Sequence, residues 1–375
     1  RKFLKPYKTR GSSFREHTFY IRGILRMKKF IYMLLGTFAI LSIIYAAFIV
    51  IIDPFYVFHM PIGEMEAVKT NRAHYVARGL IRNADYDMLI CGSSMCENFH
   101  INDANEIFYG GEDKCLKVIQ HGSYSNDLRA SLEAAAEVGK AEVIIMALDT
   151  TVFQKPDQGY RSEMPAYTTE KLSFVNIWPY LLSKDVFKYS LDLIFQNKKG
   201  NLPSEDSWWI IDGDLYSEQN VINSYNNEIL SLGFREFDEQ KAWNNLRNIE
   251  RGIEACLEKG IEIQFFIPPY SVASWDCKDY RTELMTYKEI WEELLNYSNV
   301  SIYAVQFDED IITNFNNYRN QGHYSEEVCH TILQDIKQGR HQLTTDNIDS
   351  EVDGFIKLLD EYDWENLRKR AKGLI

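Results

Sequence analysis

Apolar residues along most of this chain gather into short continuous runs separated by stretches with helical spacing. Runs at 88–91, 115–119, 143–148, 261–267 and 300–305 have the length of strands buried on both faces. Between them, apolar positions recur every three or four residues, at 65–81, 103–108, 128–138, 239–258, 284–295 and 326–336. In 239–258, for example, Ala242, Leu246, Ile249, Ile253 and Leu257 fall on one helical face. Gly139-Lys140 and Lys259-Gly260 close two of these helices, and Pro268-Pro269 stops a strand. Strand, turn, helix, strand is the rhythm of βαβ units, so the pattern predicts an α/β domain with a doubly wound, mostly parallel, five-stranded sheet. The rhythm lapses over 153–233, where Trp178, Tyr180, Trp208 and Trp209 sit among Pro, Asn and Ser, and this reads as a helical and irregular insertion. Residues 346–373 are charged and amphipathic, predicting a helix on the outside of the domain or a partner's docking surface, within a C-terminal helical extension over 339–375.

One apolar run differs in kind. Residues 30–52 form an uncharged stretch of 23, against roughly 20 needed to cross a bilayer as a helix. It is too long for a signal-peptide core and runs into Asp53-Pro54-Phe55-Tyr56, a charge and a helix stop beside aromatics suited to the headgroup region. A retained anchor is the expectation, with residues 54–63 as a linker to the domain. The segment 1–29 carries ten basic residues against the single acid Glu16, which places the N-terminus in the cytoplasm and residues 53–375 outside it. Met27-Lys28-Lys29 resembles a natural start, so residues 1–26 are expected to carry no fold of their own.

Charge then narrows the partners. Removing those ten basic residues and Glu16 from totals of 41 Lys+Arg and 54 Asp+Glu leaves 31 against 53, a net of −22 for the exported part. Such a surface repels nucleic acid and anionic headgroups. The six cysteines are scattered with no C-x-x-C and no zinc-site spacing, so neither a metal nor another cofactor is expected. Cys91, on an apolar run, reads as a small buried hydrophobe.

Candidate chemistry lies where the strands end. Gly92-Ser93-Ser94, Gly122-Ser123-Tyr124-Ser125 and Asp149-Thr150 follow three successive strands, and the loop 317–325 containing His323 follows the last. In a doubly wound sheet these turns meet at one edge. A hydroxyl, an imidazole to take its proton, a group to hold that imidazole and donors for an oxyanion can all be nominated from them.

At Ile90-Cys91-Gly92-Ser93-Ser94 and Asn320-Gln321-Gly322-His323-Tyr324-Ser325, with an apolar anchor and Asp53-Pro54 beyond it, the sequence resembles the SGNH (GDSL-type) hydrolase superfamily. The resemblance spans residues 53–338 in block order. It is similar in particular to the membrane-anchored extracytoplasmic bacterial branch that includes proteins of teichoic-acid D-alanylation. The resemblance implies Ser94 as nucleophile and one oxyanion amide, His323 as general base, Asn320 as its orienting partner, and Gly122 to Ser125 as a second oxyanion block. The third block falls at Asp149. Two positions depart from the family pattern: Asn320 stands where an Asp is usual, and Asp149 where an Asn donor is usual. Asp308 or Asp310 are alternative orienters, and His100 and His121 alternative bases.

The activity implied is that of a serine esterase or O-acyltransferase on acyl groups of a cell-surface glycan or teichoic-type polymer. The alternative is a catalytically impaired member that binds glycan or docks on a membrane-bound O-acyltransferase. With no carboxylate beside His323, activity is expected to rise with pH through the neutral range.

Overall fold

The chain reverses its winding at the first strand, and that reversal positions the candidate site. In the computed structural model, which describes residues 12–60, 62, 73–160, 171–197 and 216–374, strand β1 (Met88–Gly92) is flanked by β2 (Cys115–Ile119) and β3 (Val143–Ala147). The sheet continues through β4 (Glu262–Phe266), β5 (Val300–Tyr303) and β6 (Gln342–Leu343) in the order β2-β1-β3-β4-β5-β6. The first five strands are parallel, with Met88 opposite both Cys115 and Val143. The fold is therefore α/β with a mostly parallel sheet of six strands, one more than the pattern predicts. The sixth is antiparallel, pairing Leu343 with Ile302 and Gln342 with Tyr303, and its two residues are too short to register as an apolar run.

Helices α2 (Ala73–Asn83), α3 (Ile101–Tyr109) and α4 (Ser125–Val138) surround the switch point. Residues 65–72 of the expected first helix lie outside the described residues. Beyond β3 come α5 (Trp178–Leu181), α6 (Lys184–Asn197), α7 (Glu218–Ser224) and α8 (Glu239–Glu258); Trp208 and Trp209 also lie outside the described residues. The remaining helices are α9 (Tyr280–Leu294), α10 (Glu309–Thr313), α11 (Glu326–Gln338), α12 (Ile348–Glu361) and α13 (Trp364–Ala371). α2 packs on α4, α4 on α8 and α8 on α9, while α3 pairs with α11. With right-handed crossovers, this puts α3 and α11 on one face of the sheet and the α4–α8–α9 row on the other.

The predicted face of α8 is buried at Ala242, Leu246, Ile249 and Ile253, but Cys256 takes the inward position in place of Leu257, which is exposed. Where α8 crosses α4, a Cβ built on Gly252 would lie 2.8 Å from Leu132 Cβ. Gly252→Ala therefore sets a helix-propensity gain of about 1 kcal/mol against an overpacking cost of about 1–3 kcal/mol. Because the neighbour is a stiff Cβ, the cost wins, and thermal melting followed by circular dichroism should show a lowered midpoint. A raised midpoint would mean that the two helices part without penalty.

Residues 339–375 are less separate than the pattern predicts. They contribute β6 to the sheet, and α12 and α13 bury Val352, Phe355, Leu359 and Leu367 in the main core. The N-terminal helix α1 runs from Ser12 to Ile52, and its part Ile24–Ile52 is long and apolar enough to cross a membrane, with mean hydropathy 2.6. Residues 12–26, expected to be without fold, continue this helix, since each residue added to an existing helix gains a hydrogen bond without a new nucleus. The helix stops at Asp53, whose φ is 41°. Its carboxylate, 2 % exposed, accepts from the amides of Val57, Phe58 and His59 and from the Tyr180 hydroxyl at 2.6 Å. Phe55 and Tyr56, expected at the headgroup level, are instead buried with Ile49, Ile177, Tyr180 and Val186 in a second apolar cluster. Residues 172–189 of the insertion cover them and so form packed structure.

Candidate active site

β1 ends where a side chain has no room. A Cβ on Gly92 would lie 2.9 Å from Cys96 Sγ and 3.2 Å from the Ala147 methyl, so glycine lets the chain turn into a 3-10 segment (Ser94–Cys96). The two serines of the turn face opposite ways. Ser93 is 1 % exposed; its hydroxyl donates to Asp149 Oδ2 at 2.6 Å and accepts from the Met95 amide at 3.2 Å, capping the segment. Ser94 is half-buried and lies 2.8 Å from His323 Nε2 through its Oγ.

The loop bearing His323 is fixed on several sides. Tyr318 and Tyr324 form a bridge across it, and both are buried. Tyr318 donates to the Pro269 carbonyl, Tyr324 to the Met95 carbonyl, and the Arg319 amide to the His323 carbonyl at 3.0 Å. The Gln321 carbonyl accepts from both the amide and the hydroxyl of Ser271. Gly322 lies against the Tyr270 ring, 3.1 Å from where a Cβ would be. The loop after β5 is thereby tied to the loops after β1 and β4, which brings residues 229 apart in sequence into contact.

Asn320 Oδ1 accepts from the Gly322 amide at 3.0 Å and the His323 amide at 2.8 Å, and lies 3.1 Å from His323 Nδ1. Two of these neighbours are backbone N–H groups, which can only donate, so the atom facing them is the amide oxygen and not the amide nitrogen. The ring nitrogen beside that oxygen must then carry its proton. Nε2 is left with a lone pair toward Ser94, which is the tautomer a general base needs. Burial, then the positive charge of Arg319, pushes the His323 pKa down to about 4, with Asp149 acting weakly the other way. The imidazole is therefore neutral from mildly acidic pH upward, and the expected rise of activity through the neutral range moves to lower pH.

The neighbouring candidates separate clearly. Asp149 lines the cavity, but its oxygens are engaged as acceptors: Oδ2 by Ser93, and Oδ1 by the Thr151 amide and hydroxyl and by Tyr270 Oη at 2.5 Å. It ties β1, β3 and the loop after β4 together instead of offering a donor. Gly122 lines the cavity with Ser94 and His323. Ser125 does not belong with them: it is fully buried at the start of α4, donating to Asn245 Oδ1 and accepting from Asn248 Nδ2 of α8. Asp308 accepts from the Ile311 amide as the cap of α10, and Asp310 is exposed on that helix, so neither is the orienting group. His100 pairs with Glu326, and His121 faces Glu97 at 3.4 Å.

The cavity measures about 240 Å³. Beyond the residues named, Tyr270, Gln321, Arg235, Lys278 and Lys155 line it, none of them nominated from sequence. Lys278 pairs with Glu283 and lies over the Trp275 ring, and Arg235 donates to the Ser274 and Asp276 carbonyls. Tyr270 follows Pro268-Pro269 at the end of β4, the same sheet edge as the other turns, and that position was its only sequence signal. Comparison with protein-family models gives no match to the chain, and comparison with curated proteins gives none either.

Proposed function

We propose that the protein is a serine esterase or O-acyltransferase of the SGNH (GDSL-type) kind, held at the membrane by α1 with its catalytic domain on the extracytoplasmic side. The observation that carries this reading is the relay from Ser94 Oγ to His323 Nε2 at 2.8 Å and from His323 Nδ1 to Asn320 Oδ1 at 3.1 Å, in a cavity at the β1/β3 switch point. Ser94 Oγ attacks the acyl carbonyl as its proton passes to Nε2. The Ser94 and Gly122 amides receive the oxyanion. The protonated imidazole returns that proton to the departing alkoxide oxygen, leaving an acyl-serine. Water or a sugar hydroxyl, deprotonated by the same Nε2, then takes the acyl group, and Nε2 returns that proton to the departing Ser94 Oγ, which restores the free serine and the neutral imidazole.

The substrate is the acylated hydroxyl of a cell-surface glycan or teichoic-type polymer. The cavity wall carries Lys155, Arg235 and Lys278 against Asp149 and Glu228, with Lys278 paired to Glu283, so it offers an anionic polymer local cationic contacts within an exported part whose net charge is −22. The basic N-terminal flank supports a cytoplasmic N-terminus.

The test is covalent labelling of the full chain, in membranes or detergent, by a fluorophosphonate probe. The modified peptide should carry the phosphonyl group on Ser94, and Ser93→Ala should still label, because Ser93 points to Asp149. Modification at another residue, or none between about pH 6 and 9 where a base of this kind is neutral, would remove the nucleophile assignment.

A further inference from the structure

Residues 172–183 contain no charged side chain and lie between Lys171 and Lys184. Their inward residues, Ile177 and Tyr180, join the second apolar cluster. Their outward residues do not retreat from the surface: Phe174 is 77 % exposed, Val175 82 %, Leu182 60 % and Trp178 41 %. Four large apolar side chains within nine positions make a patch of the kind that marks a contact surface. Phe174 and Trp178 meet edge to face with centroids 5.4 Å apart.

The position of this segment identifies what covers it. Tyr45 Oη donates to the Ser183 carbonyl at 3.0 Å, and Phe187 stacks on Tyr45 at 5.2 Å and meets Phe48 at 5.4 Å. Tyr45 is seven residues before the end of α1 at Ile52, about 10 Å below it at 1.5 Å per residue. Interfacial segments bury their apolar faces about 5–10 Å into the headgroup and acyl boundary. On α1 itself Leu41, Ile44 and Ile51 are exposed as well.

The backbone suits that setting. Asn176 accepts from the Ser173 amide and donates to the Lys171 carbonyl, and the amides of Ile177, Tyr180, Leu181, Leu182 and Ser183 bond to carbonyls within the segment, as apolar surroundings favour. Lys184 and Lys188 are exposed beyond it, placed to reach phosphate headgroups.

We propose that residues 172–183 are a second membrane contact. This uncharged turn inserts Phe174, Val175, Trp178 and Leu182 into the lipid interface at the C-terminal end of α1, and so fixes the catalytic domain against the bilayer. The inference rests on α1 spanning the membrane, the part of the preceding reading it shares; it is independent of the Ser94 chemistry.

The full chain carrying Cys277→Ser, with the five buried cysteines retained, is labelled with an environment-sensitive nitrobenzoxadiazole fluorophore at Val175→Cys. Ile43→Cys serves as the span reference and Glu351→Cys as the aqueous one. In phosphatidylcholine–phosphatidylglycerol vesicles, the label at 175 should shift to the blue, lose fluorescence to lipids with a nitroxide near the headgroup, and resist aqueous iodide. Leu182→Cys should repeat this.

Iodide quenching at 175 equal to that at 351 overturns the proposal. So does protection from iodide without nitroxide quenching, since a second copy or a membrane protein would then cover the face. Nitroxide quenching absent at 43 as well places the failure in the span itself, and fluorophosphonate labelling of Ser94 reports separately on the catalytic reading.

Discussion

Ser94→Ala should abolish fluorophosphonate labelling and ester turnover, and His323→Ala should lower both by about 10² to 10⁴, the usual worth of a positioned general base. The two losses differ because the hydroxyl forms the bond while the imidazole only raises its reactivity. Ser94 is half-buried, and the hydrogen bond that ties its side chain down is the one to His323. Truncation should therefore move stability by no more than about 0.5–1.5 kcal/mol, the net worth of one such bond. His323→Ala is costlier to the loop, yet the Tyr318–Tyr324 bridge and the Gln321–Ser271 bonds do not involve the ring. Near-native circular dichroism and melting should accompany both losses. If His323→Ala labels at the wild-type rate while Ser94→Ala does not, some other group activates the serine, and His121, close enough to influence the charge of His323, would be the next base to test. If both variants keep turnover, the hydrolytic centre lies elsewhere.

The sheet was legible because strands buried on both faces must be continuous apolar runs. β2 matches its expected range of 115–119, and β1, β3, β4 and β5 lie within a residue or two of theirs. β6 was not, because two residues at the edge with one polar side chain leave no periodic trace. The meeting of Ser94 and His323 was legible through order along the chain: a doubly wound sheet brings the turn after β1 and the loop after β5 to one edge, and the two residues occupy those turns. Ser94 rather than Ser93 was named through the resemblance alone, and the Ser93–Asp149 bond gives the physical reason that Ser93 points away from His323.

The partners of the Ser125 side chain were hidden for a related reason. A small-residue turn before a helix could offer its side chain to either side, and here the partner is α8, some 120 residues later, which no local signal announces. The insertion was recognised as a break in rhythm, but its role in covering Phe55 and Tyr56 depends on contacts between Asp53 and Tyr180 and between Tyr45 and residues 183–187, again distant in sequence.

Asn320 is where the sequence departs furthest from its resemblance, and the geometry gives that departure a measurable consequence. In the worked serine-protease case, Asp to Asn costs about 10⁴ because the imidazole takes the wrong tautomer. Here two backbone amides hold the Asn320 oxygen toward the ring, so the competent tautomer is kept without a carboxylate. What an amide cannot supply is charge. His323, half-buried and within reach of the charge of Arg319, has its pKa lowered to about 4, so the wild-type labelling rate should be flat across the neutral range and fall only as the pH drops through about 4.

In Asn320→Asp, the same three donors meet a carboxylate about 3 Å from Nδ1, a distance at which an opposite charge favours the protonated ring by about 1–3 pH units. The acid limb should move upward by that amount. At pH 5 the variant should then react more slowly than wild type, and at pH 8 as fast or faster, because a more basic imidazole takes the serine proton more readily. The measurement is the second-order labelling rate of both proteins from pH 3.5 to 9, with circular dichroism at each end to separate titration from unfolding; these limits bracket the ordinary and shifted imidazole by roughly two units or more on the alkaline side. An unmoved acid limb would mean that His323 is not the titrating base. A plateau lowered by about 10² or more in folded Asn320→Asp, where the ring is already neutral, would mean that the neutral amide is itself required.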